Sequence, residues 1–169
     1  VQVRWLGLTG CAVVLLCCGP QQIQGSLSAL LNLQYSSVQI GYTGGSVDGG
    51  VMTNGQVSLR FLQPSGASQN AVLIVTEDLS GLRVSPGGSV DLTQVPPSGV
   101  GQRGVVTRDV ENDPRTTFPA LQVGRMELDG TPVPGSGASM GGEFNVTFAL
   151  CADFACGYTA YDTFKGQVQ

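Results

Sequence analysis

The sequence predicts an all-β fold, an antiparallel β-sandwich or small barrel of about seven to nine strands with long Gly/Pro-rich loops. Three observations carry that expectation. Apolar residues recur with period two in several segments, as they do when one face of a strand is buried. The 169 residues include 25 glycines and 9 prolines, too many for a helical bundle, and these cluster between the alternating segments as turn signals. The chain is also long enough for one hydrophobic core and too short for two.

Taken in order, Leu27, Leu30, Leu31 and Tyr35 have the spacing of a short amphipathic helical turn, and Val38, Ile40 and Tyr42 then alternate as a strand. Asn54-Gly55 is a strong β-hairpin signal, because both residues accept positive φ. After it, Val57, Leu59 and Phe61 share one face, with Ser58 and Arg60 on the other, and Gln63-Pro64-Ser65-Gly66 closes the strand. Ala71–Thr76 is apolar on both faces, the pattern of a central strand. Residues 77–102 read as irregular, with Glu77-Asp78 as a surface turn and a short strand at Val90–Leu92. Further strands are expected at Gly104–Val110 and Leu121–Leu128, with a Pro/Gly/Ser loop at residues 131–142.

The clearest alternation comes last. Phe144, Val146, Phe148 and Leu150 face one way, while Asn145, Thr147 and Ala149 face the other. Tyr158, Ala160, Phe164 and Val168 form a second inward set, opposite Thr159, Thr163, Lys165 and Gln167. Asp162 falls among the inward positions, an acid where an apolar residue is expected. Pairing is expected to be antiparallel, since the short turns leave no room for crossover helices.

Residues 1–17 read as a signal segment, 18–26 as a tether and 27–169 as a single β-rich domain. Arg4 is the only charge before Asp48. The apolar run from Trp5 to Cys18 is the length of an export-signal core and shorter than a spanning helix, and Gly19-Pro20 ends it. Leu15-Leu16-Cys17-Cys18 resembles a bacterial lipoprotein signal, in which the first mature residue is a cysteine that receives lipid. Cys18 is the preferred attachment site, ahead of Cys17 and Cys11; a plain secretory signal is the alternative. The other two of the 5 cysteines, Cys151 and Cys156, flank a four-residue stretch between strand-like segments. A hairpin would face them across the strands at a distance near that of a disulfide, which an oxidising compartment favours.

Composition narrows the function classes. Lys+Arg total 8 against 12 Asp+Glu, so the net charge is −4 and the chain lacks the basic footprint of a nucleic-acid binder. It has no histidine, the commonest general base and metal ligand. Gly137-Ala138-Ser139-Met140-Gly141 matches the G-x-S-x-G elbow in letters, but a loop precedes it, a strand follows, and no Ser-His-acid relay is available. Asp109, Glu111, Asn112 and Asp113 place oxygen ligands of a kind that suits calcium, although a solvated loop that pairs with Arg103, Arg108 and Arg115 explains them as well. Tyr35, Tyr42, Tyr158 and Tyr161 would make a sugar platform only if they shared an exposed face. Asn145-Val146-Thr147 is an N-glycosylation sequon placed inside an expected strand.

The LLCCGP start, the Gln-rich stretch after it, RGVVTRDVENDPRTTFPALQVGRMEL, GGEFNVTFAL and the terminal FKGQV strand are together similar to bacterial envelope lipoproteins of uncharacterised function. That resemblance implies an envelope location and a β-sandwich body, and it brings no catalytic residues. The expectation is a non-enzymatic exported lipoprotein with no cofactor. It meets the membrane through a lipid anchor at the outer membrane or cell surface, or is secreted or periplasmic if the anchor is lacking. A glycan- or calcium-binding module is the alternative, and a carboxylate-dependent hydrolase, which needs a facing acid pair, stands third.

Overall fold

The structure, a computed structural model, describes residues 19–65, 68–109, 117–149 and 157–169. In chain order the elements are β1 (Gln21–Gln22), α1 (Ser26–Leu31), β2 (Gln34–Tyr35), β3 (Ser37–Asp48), β4 (Val51–Ser65), β5 (Ser68–Asp78), β6 (Arg83–Val84), β7 (Ser89–Asp91), β8 (Gly104–Asp109), β9 (Leu121–Leu128), β10 (Ser139–Phe148) and β11 (Thr159–Val168). The expected all-β class holds. One sheet runs β7-β9-β10-β11-β3-β4-β5-β8, with β6 on β4, and curls into a nearly closed barrel; β1 and β2 form a small second sheet. Strands β3, β4, β5, β8, β9, β10 and β11 follow one another as an up-and-down meander. An odd number of alternating strands brings the first and last together pointing the same way. Hence β11 and β3 pair parallel, Gln167 beside Gln39 and Val168 beside Ile40, against the antiparallel expectation.

The period-two pattern becomes the barrel interior. Val57, Leu59 and Phe61 of β4, Phe144, Val146 and Phe148 of β10, and Ala160, Phe164 and Val168 of β11 are all buried. Phe61 sits at the centre. Its ring lies 5.0 Å from Tyr35, 5.2 Å from Phe144 and 5.9 Å from Phe164, edge-on to Tyr35 and Phe164. A barrel of so few strands is just wide enough for side chains to fill. The outward positions Arg60, Asn145, Thr163, Lys165 and Gln167 are exposed.

Two further expectations are corrected. Asn54-Gly55 is not the hairpin turn. The β3–β4 turn is Gly49-Gly50, between the paired Asp48 and Val51, with φ of 55° and 80°. Glycine meets the positive φ at both central positions of such a turn without a Cβ clash. Asn54 and Gly55 do adopt positive φ, 54° and 78°, but inside β4, where they kink the strand opposite Gly44 at 73°. The Tyr42 hydroxyl fills the kink, 2.9–3.0 Å from the carbonyl oxygens of Ser46, Thr53 and Asn54. The kink also docks the β5–β6 connection: Asn54 Oδ1 accepts from the Gly81 amide at 3.0 Å, and the Gly55 carbonyl accepts from Leu79 at 2.9 Å.

The second correction concerns the tether. Residues 21–24 belong to the fold: Gln21 and Gln22 pair with Tyr35 and Gln34, and Gln24 exchanges backbone hydrogen bonds with Tyr161 at 3.0 and 3.1 Å. Ile23 is fully buried while the flanking glutamines are exposed, so the polar run is a strand with one apolar anchor. Helix α1 covers Leu27–Leu31 as expected, with Leu27 buried and Leu30 exposed; Tyr35 lies beyond it in β2.

Where β8 approaches β9 the two strands do not pair directly along their length, and other groups close the seam. The Gln102 side chain copies a backbone peptide, its Oε1 accepting from the Leu121 amide at 2.6 Å and its Nε2 donating to the Leu121 carbonyl at 2.8 Å. Next to it, the Leu92 amide donates to the Gly124 carbonyl at 3.0 Å and the Leu92 carbonyl accepts from Gly104 at 2.7 Å. A Cβ at Gly104 or Gly124 would come within 2.5 or 2.8 Å of the Leu92 Cβ, so the seam needs glycine on both sides. Gln102→Ala is expected to destabilise the protein by about 1–3 kcal/mol, the usual penalty for orphaning partly buried backbone groups. Urea denaturation checks this, and an unchanged midpoint would show that the seam holds without the amide.

Candidate functional site

With the interior filled, the outer surface carries the chemistry available to a partner. The ladder register sets four exposed side chains in one row across the sheet. Asp91 of β7 lies opposite Arg125 of β9, Arg125 opposite Asn145 of β10, and Asn145 opposite Tyr161 of β11. At the strand spacing of about 4.8 Å, the row is roughly 14 Å long. It runs carboxylate, guanidinium, amide, phenol.

Two members of the row are held in place. Arg125 Nε donates to Ser89 Oγ at 2.6 Å; one guanidinium arm meets Glu127 at 2.5 Å and the other lies 3.4 Å from Glu143. Asp91 accepts from the Thr93 hydroxyl at 2.7 Å and its amide at 2.9 Å, and these bonds hold its carboxyl below the usual carboxylate range. Two shallow depressions flank the row. One, of about 250 Å³, is lined by Arg125, Glu143, Asn145, Tyr161 and Thr163; the other, of about 410 Å³, by Ser89, Asp91, Thr93 and Gln122. They meet at Val123 and Arg125.

Among the described residues, two acids lie inside the barrel. Asp162 accepts a 2.5 Å hydrogen bond from the buried Tyr35 hydroxyl. Burial raises its pKa, although the Tyr35 bond and the Thr163 amide pull the other way. Burial, reinforced by the same bond, raises the Tyr35 phenol as well. This bond accounts for an acid at an inward position of β11: it pins β2 to the barrel.

Glu77, expected in a surface turn, is instead an inward residue of β5 and is 2 % exposed. Burial pushes its carboxyl up to about 8, with the Arg103 charge opposing the shift. Arg103 is itself buried and donates to the Asp78 and Ser80 carbonyls at 2.8 and 2.9 Å. Neighbouring Asp78 is different. Its modest burial is outweighed by bonds from Ser80 and by the Arg103 charge, so its pKa falls. Glu77 lies beside Val57 and Gly104, Asp162 beside Phe144, and the two do not form a facing pair.

The other sequence candidates fare differently. Cys18, Cys151, Cys156 and the 110–113 part of the acidic cluster lie outside the described residues. Of the tyrosines, Tyr35 and Tyr42 are buried, Tyr158 is half-buried and Tyr161 is exposed, so no four-tyrosine platform forms. Ser139 opens β10 opposite Gln167, so a strand follows it directly. Among the described residues, no three acidic or cysteine side chains gather as a metal site, and no helix is long and apolar enough to cross a membrane. The four-residue row escaped the sequence reading because it depends on register between strands up to 70 positions apart. Its local traces were the outward placement of Asn145 and the presence of Tyr161 among the four tyrosines weighed as a sugar platform. Comparison with protein-family models, characterised proteins and solved structures finds no match to this chain.

Proposed function

We propose that this chain is an exported protein of the bacterial envelope, anchored by lipid on Cys18, whose barrel is a non-enzymatic interaction domain. One observation supports the interaction reading above the others: Phe61, Phe144 and Phe164 fill the barrel interior, which leaves recognition to the outer face. The anchor reading rests on the apolar segment that ends in Leu15-Leu16-Cys17-Cys18. Strand β1 starts at Gln21, so an acylated Cys18 would hold the β1–β2 end of the barrel within about 11 Å of the bilayer surface. Several acyl chains, at about 0.8 kcal/mol per buried methylene, suffice for stable attachment without a spanning helix. In an oxidising compartment Cys151 and Cys156 would form a disulfide, and peptide mapping without reduction reads that bond directly.

Labelling with radioactive palmitate tests the anchor. The wild-type protein is expected to take up label and to partition into the detergent phase, and Cys18→Ala is expected to lose both. Equal label in Cys18→Ala, or none in the wild type, overturns the assignment.

A further inference from the structure

We infer that the row Asp91–Arg125–Asn145–Tyr161 binds an uncharged oligosaccharide laid across strands β7, β9, β10 and β11. The inference rests on the barrel being an interaction domain, and it names the class of ligand. Sugar rings present C–H faces and a rim of hydroxyls. The row offers an exposed aromatic ring at one end for the face, and a carboxylate, a guanidinium and an amide for the rim. Two of those polar groups are preorganised: Thr93 holds Asp91, while Ser89, Glu127 and Glu143 hold Arg125, so little freedom of these two side chains is lost on binding.

Charge selects the ligand class. Two carboxylates already balance Arg125, Asp91 adds a negative charge, and the chain carries −4 overall, which disfavours phosphate-rich or uronic-acid polymers. A protein partner fits less well, since among the described residues the exposed apolar side chains at the row are Val123 and Tyr161, far short of an apolar interface centre. The depressions on either side, about 250 and 410 Å³, run into each other at Val123 and Arg125 and give a trough longer than one ring needs.

Titrating the isotope-labelled full chain with cellotetraose and with tetra-N-acetylchitotetraose, followed by amide NMR, tests the inference. At least one probe is expected to shift the amides of β9, β10 and β11 around Arg125, Asn145 and Tyr161. Tyr161→Ala is expected to weaken that binding about tenfold, the upper range for a lost aromatic contact. Tyr161→Phe keeps the ring and is expected to bind within about twofold of the wild type. The amide spectrum of each variant verifies its fold in the same experiment. No shift from either probe at millimolar concentration, shifts confined to another face, or undiminished binding by Tyr161→Ala overturns the inference. Palmitate incorporation is independent of all these outcomes, so the anchor and the sugar trough stand or fall separately.

Discussion

Glu77→Gln is expected to raise the melting temperature at alkaline pH and to leave it nearly unchanged below about pH 4.5. In the folded protein burial lifts the Glu77 pKa from 4.5 to about 8, so the native state holds a proton that the unfolded chain has released. The stability this proton confers is complete below pH 4.5 and is lost as pH rises through about 8. Above that point the wild-type barrel must accommodate a buried carboxylate that Arg103 only partly offsets. Glutamine matches the protonated acid in shape and never ionises. At about 1.4 kcal/mol per pH unit the full effect approaches roughly 5 kcal/mol, on the order of 10 °C for a domain of this size. Thermal melts of both proteins across a pH series would show it as a sloping wild-type profile and a flatter variant. Parallel profiles would mean that Glu77 releases its proton in the native protein over the same pH range as in the unfolded chain.

Phe61→Ala is expected to destabilise the barrel by about 3–5 kcal/mol. The ring is completely buried and touches Tyr35, Phe144 and Phe164, which join β2, β10 and β11 to β4. Its removal leaves a cavity among Tyr35, Phe144 and Phe164, on strands that ladder hydrogen bonds hold to their neighbours, so collapse around it is limited. Val105→Ala is the control, an exposed β8 residue whose truncation is expected to change stability by no more than about 0.5 kcal/mol. Urea midpoints measure both. A loss at Phe61 as small as that at Val105 would show that the core is not organised around the ring.

Most strands were legible because a strand writes its burial into alternate residues. Phe144, Val146 and Phe148 declare their inward face without reference to any partner, and Leu121–Leu128 matches β9 residue for residue. Asn54-Gly55 was legible only as conformation. Both residues take the positive φ that their chemistry favours, yet the chain turns at Gly49-Gly50 and uses Asn54-Gly55 to kink β4 around the Tyr42 hydroxyl. Local propensity states which φ a residue accepts and leaves open whether the strand reverses there.

Asp162 and Glu77 mark the opposite limit. Asp162 could be recognised as an exception to its strand, but its partner Tyr35 lies 127 positions away. Glu77 follows an apolar run whose alternation continues through it, and its charge disguised an inward position. What the amino-acid sequence by itself determined is therefore the all-β class, the location of most strands and the side each presents to the core, since these follow from the two-residue period and from glycine and proline chemistry. Tertiary structure alone decided the parallel closure of β11 on β3, the Gln102 seam, the burial of Glu77 and the surface row that ends in Tyr161. Each depends on which strands become neighbours and in what register, a property of long-range pairing that no short stretch of chain encodes.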